Sequence, residues 1–148
     1  MGLTLGANGK AYWDAISGHA SPSWDLLSLV KSVTINAEVG DADVTDRSVG
    51  AWKAFLPTLK DVTVDVSMNY DTTDAGFAAL KAAFLAGTIL NMAFMDGPVA
   101  TTGSQGLRAP MFISKFPRSE DLENYMTIDM TFKLAYYPAA GPEWLVVS

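Results

Sequence analysis

Carboxylates are the side chains in this chain whose clustering first suggests chemistry: Asp41, Asp43 and Asp46 lie close together, and Asp61 and Asp65 are two strand repeats apart. Clustered carboxylates are hard-cation ligands, but a calcium loop opened by Asp41 needs Gly at its sixth place and Glu at its twelfth. This chain has Asp46 and Trp52 there, so the cluster reads as a solvated acidic loop with Arg47 as its local ion-pair partner. Asp61 and Asp65 have the composition of an acid-base pair, yet nothing around them in the sequence builds an enclosing pocket. His19, the only histidine, sits between Gly18 and Ala20. Without a cysteine or a second imidazole it is a poor basis for a metal site or a catalytic triad. Ser104 in GSQG lacks the spacing of a nucleophile elbow. Gly9-Lys10 matches the end of a phosphate loop, but Thr4 stands where the earlier glycine belongs and Ala11 where a hydroxyl should hold magnesium. The expectation is no catalytic residue, no metal and no cofactor.

Composition narrows the class further. At 148 residues, 49% hydrophobic and 18% charged, the chain suits one domain, 1–148, able to fold without staples. It has no cysteine, which excludes disulfides and thiolate zinc sites and suits a reducing compartment. No charged start followed by an apolar stretch marks an ordinary export signal, and no apolar run approaches the ~20 residues needed to cross a bilayer. Sixteen acids against ten bases give a net charge of -6, the wrong sign for gripping phosphates. Trp13, Trp24, Trp52 and Trp144 lack interleaved Arg and Lys, so they read as core or interface anchors rather than a base-stacking platform.

The elements that must position these residues are mostly strands. In DVTVDVSMNY, Asp61, Thr63, Asp65, Ser67 and Asn69 alternate with Val62, Val64, Val66, Met68 and Tyr70. In YMTIDMTFKLAYY, Thr127, Asp129, Thr131 and Lys133 alternate with Met126, Ile128, Met130, Phe132, Leu134 and Tyr136. Strand side chains change faces at every residue, so each segment predicts one buried and one wetted face over roughly 33 Å. Residues 26–39 form a third such strand, and further strands are expected over 88–95 and 107–116. Between 71 and 87 the pattern is helical, with Asp71 as N-cap, Asp74 in the first turn, Phe77, Leu80 and Phe84 on one stripe, and Gly87 as the stop. The alanine-rich remainder of that helix predicts burial on more than one side. Residues 1–25 read as an N-terminal arm or loosely paired strand outside the core, 40–57 as a long contact loop, and 138–148 as a C-terminal tail whose Trp144, Leu145, Val146 and Val147 call for a partner surface.

The stretch VKSVTINAEVGDADVTDRSVGAWKAFLPTLKDVTVDVSMNYDTTDAGFAALKAAF resembles the major tail tube proteins of long-tailed bacteriophages. The likeness is carried by the D-x-T-x-R element at Asp43, Thr45 and Arg47, the turn from Gly50 to Trp52, the start of the L-K-D-V-T-V strand, and the acidic cap before the alanine-rich helix. A late FPRSEDLENYMTIDMTFKLAY hairpin completes it, so the resemblance covers residues 30–137. It implies a mainly β fold, a two-sheet β-sandwich or partial barrel with one flanking α-helix. Hexameric rings of such subunits would stack into a hollow tube, their inner strands joining into a ring-shaped β-barrel. On that basis Asp61, Thr63, Asp65, Thr127 and Asp129 would face the lumen. Double-stranded DNA would pass without specific binding, because an acidic wall repels a duplex carrying a negative charge about every 1.7 Å. Asp43, Thr45, Arg47, Trp52 and Phe55 would make inter-subunit contacts, the alternative being a loop whose bulky residues pack internally over the chain's own core. The implied partners are further copies of the chain, a tape measure protein in the lumen, and tail terminator and tail tip proteins, with no membrane. The implied location is the virion tail, after synthesis in the bacterial host cytoplasm. The inner tube of a contractile secretion system and a stand-alone β-sandwich binding module are the alternatives.

Overall fold

Alternation of apolar and polar residues shapes the computed structural model, which describes residues 6, 9–15, 23–50, 52–120, 122, 125–138 and 141–148. Its strands are β1 (Lys10–Ala15), β2 (Asp25–Leu26), β3 (Val30–Asp43), β4 (Phe55–Asn69), β5 (Leu90–Met95), β6 (Gln105–Lys115), β7 (Arg118–Ser119), β8 (Thr127–Leu134) and β9 (Glu143–Val146). One α-helix, α1 (Ala75–Ala86), follows β4. All pairings are antiparallel, in the order β2-β1-β5-β6-β8-β4-β3, with β7 added to β8 and β9 to β6. The sheet is not closed, and β2 and β3 are the ends of the main path. Its two wings nevertheless meet: Leu27 N donates to Ala11 O of β1 at 2.9 Å, and Asn69 N of β4 donates to Leu29 O at 3.0 Å. Leu27 and Leu29 are two residues apart, a reach of at most ~7 Å, so the sheet must curl into a partial barrel. The two expected layers are the two wings of one hydrogen-bonded sheet.

The core lies inside this curl. Val64, Val66 and Met68 of β4, Ile128, Met130 and Phe132 of β8, and Met111 and Ile113 of β6 join Leu90, Met92 and Phe94 of β5 in one buried cluster with Phe77 and Leu80 of α1. These are the apolar positions that strand parity selects, each contributing about 1.5–3 kcal/mol when fully buried. Tyr12, Ala93 and Met95 form a smaller cluster on the opposite face, covered by Trp24, Val99, Leu145 and Val147. β5 is therefore buried on both faces, which its run LNMAFM anticipates. The close β5–β6 approach requires Gly106, where an added Cβ would lie 1.8 Å from the Phe94 carbonyl oxygen.

Several boundaries differ from the sequence-based expectations. Lys10–Ala15 is a sheet strand with Ala11 and Tyr12 buried, so the segment 1–25 is not an arm throughout; His19 lies outside the described residues. The helix is capped by Asp74, whose carboxylate accepts from Phe77 N at 3.0 Å, while Asp71 instead accepts from Thr73 N at 2.9 Å in the preceding turn. Gly87 ends α1 in the left-handed region at φ 68°. α1 buries Gly76, Phe77, Leu80 and Ala83 against the sheet and leaves Leu85 73% exposed, so one side is covered rather than several. β8 ends at Leu134, so Tyr136 does not continue its buried face and is 86% exposed. In the tail, Glu143–Val146 pairs with β6, and Leu145 and Val147 find their apolar partner within the same chain.

The largest correction concerns residues 40–57. β3 runs on to Asp43 and β4 begins at Phe55, leaving only residues 44–54 as connection. Cross-strand pairing, which local sequence does not display, carries both strands past Gly40 and Pro57. A bulge between Val39 and Asp41 absorbs the mismatch, and Pro57 lies where β4 has a partner on only one side.

Candidate functional site: a polar wall and a projecting arm

Register brings the wetted faces of three neighbouring strands into one plane. Opposite β4, β3 places Glu38 at Asp61, Asn36 at Thr63, Thr34 at Asp65 and Ser32 at Ser67. On its other side, β8 places Lys133 at Thr63, Thr131 at Asp65, Asp129 at Ser67 and Thr127 at Asn69. Asp61, Thr63, Asp65, Thr127 and Asp129 therefore share one face. Asp65 is its centre: Asn36 Nδ2 donates to Asp65 Oδ2 at 3.1 Å and Thr131 Oγ1 donates to Asp65 Oδ1 at 2.9 Å. One carboxylate thus ties three strands together. The acids Glu38, Asp61, Asp65 and Asp129 are accompanied by Lys133 and, opposite Thr131, by Lys115 of β6. The wall remains acidic on balance. Asn36 and Thr131 were visible as polar positions in their strands, but their grip on Asp65 depends on register.

The second feature is the arm. β8 covers β4 only from Thr63 to Asn69, while β3 pairs with β4 as far as Asp43 and Phe55. Beyond Val62 the hairpin is a two-stranded ribbon exposed on both faces. Along it Val39, Phe55, Leu56 and Leu59 are exposed, Leu59 at 86%. At its tip Trp52 is 80% exposed, so these bulky residues do not cover the chain's own core.

The tip itself is held by short polar side chains. Asp43 Oδ1 accepts from Thr45 N at 2.9 Å. Thr45 Oγ1 accepts from Ala54 N at 2.9 Å and donates to Ala54 O at 3.3 Å, closing the loop's base. Asp46 accepts from Ser48 N at 2.8 Å and from the Ser48 hydroxyl, capping a 3-10 turn over Arg47–Val49. Hydrogen bonds from Thr45 lower the pKa of Asp43, and those from Ser48 lower that of Asp46, from the ordinary 3.8. Asp43 and Thr45 thus build the tip. Arg47 is exposed and forms no ion pair among the described residues, contrary to the expected local pairing.

No group of three or more His, Cys, Asp or Glu among the described residues has the arrangement of a metal site, and no helix there is long and apolar enough to cross a membrane. The geometry is that of a polar sheet face and a projecting hairpin.

No family model matches the chain, and no curated protein matches it. Solved structures do. The chain is similar to a subunit in the structure "Tail of empty GTA particle computed with helical refinement, C6 symmetry", with 13% identity, TM-score 0.74, and coverage of 99% of this chain and 100% of that one. It is similar to the subunit of the SPP1 tail tube, with 15% identity, TM-score 0.75, and coverage of 97% and 80%. A chain of the sheath–tube complex of an extracellular contractile injection system in its extended state aligns at 8% identity and TM-score 0.66, over 99% of this chain and 93% of that one. The chain has the fold of tail tube subunits.

Proposed function

We propose that this chain is a structural, self-assembling subunit of a phage-type tail tube. The observation that carries the reading is an unfinished sheet: among the described residues a fourteen-residue edge strand and its projecting hairpin have no further strand partner, in a fold shared nearly end to end with tube subunits. A long exposed edge is an aggregation liability in a solitary protein, and a ring of copies removes it by pairing or covering every edge. In this reading hexameric rings stack into a tube. The wall of Asp61, Thr63, Asp65, Thr127 and Asp129 faces the bore, where double-stranded DNA passes without adhering and a tape measure protein lies before ejection. The arm residues Asp43, Thr45, Arg47, Trp52 and Phe55 contact neighbouring copies, and tail terminator and tip proteins close the ends. The protein works without catalysis, in the virion tail after synthesis in the host cytoplasm.

Electron microscopy of the purified protein tests the reading directly. Rings or tubes are expected as concentration rises, whereas a monomer at every concentration favours a stand-alone module. Trp52→Ala should keep the monomer's circular dichroism and melting temperature but lose polymerisation, because Trp52 is 80% exposed. Unfolding of that variant would instead give Trp52 an internal role. The alignment with the injection-system chain supports a second reading, the inner tube of a contractile system. A surrounding sheath and a particle without a DNA-filled head would select it.

A further inference from the structure

The sheet's open seam holds a cleft of about 480 Å³ between the edge strand β3 and the facing strands β5, β6 and β9. Val33, Ile35, Phe94 and Trp144 line it with apolar surface, and Lys10 and Lys31 are also among its lining residues. Asp96, also on the lining, already accepts from Gln105 N at 2.8 Å. The cleft therefore presents apolar walls, two cations and one carboxylate, with positive charge in excess.

The arm presents the complement. On β3, Val33, Ile35, Ala37, Val39, Asp41 and Asp43 follow one parity, and the register sets Phe55 opposite Asp43 and Pro57 opposite Asp41. The tip thus offers an exposed aromatic ring on the same face as two carboxylates. It cannot reach the cleft of its own chain. Asp43 lies eight residues beyond Ile35 on the same strand, about 26 Å away, and ladder bonds to β4 hold the arm extended.

We infer that the arm tip of one copy seats in the seam cleft of another, Phe55 against the apolar walls and Asp41 and Asp43 toward Lys10 and Lys31. The inference rests on the tube reading and names the receiving site within it. The contact is heterologous, because donor and acceptor surfaces differ, so each copy receives one arm and delivers another. Repetition then propagates the assembly in one direction and gives it polarity.

The chain has no cysteine, so introduced thiols report cleanly. Val33→Cys and Phe55→Cys proteins are prepared separately, mixed as monomers, assembled and oxidised. A covalent dimer is expected from the mixture and from neither protein alone. Independently, Lys31→Glu should lose assembly, and adding Asp41→Lys to it should restore tubes, since both side chains are exposed and lie outside the buried core. Tubes that form with no 33–55 dimer and no charge-swap rescue overturn the cleft as the seat and leave the tube reading standing. Wild-type protein that never assembles overturns both.

Discussion

Asp65 makes a surface carboxylate part of a wall, accepting from Asn36 on one neighbouring strand and Thr131 on the other. Asp65→Ala removes both bonds at an exposed site. It should lower monomer stability by about 1 kcal/mol, read from denaturant midpoints. Glu38 and Asp61 lie directly opposite each other as like charges, which disfavours the isolated hairpin. Glu38→Gln should therefore raise monomer stability by about 0.5 kcal/mol in the same measurement. The arm tip depends on pH through Asp43 and Asp46, both depressed from 3.8 by hydrogen bonds that favour the ionised form. A depressed folded pKa contributes stability fully above the unfolded value, and that contribution is lost as pH falls through the folded one. Amide exchange at Thr45 and Ser48 should accelerate, relative to its intrinsic rate, as pH drops below 3.8. Protection that persists far below that value would exclude the carboxylates as the tip's support.

Among the elements, α1 and the arm are stabilised in opposite ways. α1 has an aspartate cap, a glycine stop and one buried stripe, so local signals and tertiary packing agree. Asp74→Ala should cost about 1 kcal/mol and lower the melting temperature by about 3 °C, whereas Asp71→Ala should loosen only the turn held at Thr73. The arm has no core of its own. Its ladder bonds and tip turns hold its shape, while its exposed apolar residues cost solubility until they are covered. Its shape is set by register and turn hydrogen bonds rather than by burial.

For the whole molecule, curling one sheet separates two surfaces with different tasks. The inward face makes the core, and the polar face of β3, β4 and β8 stays wet, carrying more acids than lysines. If that face lines a bore, Asp65→Lys with Asp129→Lys should slow DNA release from assembled particles, most strongly at low salt, because screening weakens attraction across the solvent gap. Release that is unchanged at every salt concentration would remove the repulsive wall from the mechanism.

Much of this was legible in the residues. Alternation in DVTVDVSMNY and TIDMTFKL identified which side chains enter the core, and Gly87 marked the helix end, because strand parity and capping are properties of consecutive residues. The burial of the strand over Lys10–Ala15, the extension of the hairpin to Asp43 and Phe55, and the triple meeting of Asn36, Asp65 and Thr131 were not legible in the same way. Each depends on a partner tens of residues distant, and glycine or proline at a strand's margin signals a turn unless such a partner overrides it. The sequence by itself determined the two-faced strands and the absence of a catalytic signature. Tertiary structure alone decided which strands became neighbours, which edge stayed open and how far the arm projects, because hydrogen-bond register is a property of pairs of segments and not of either one.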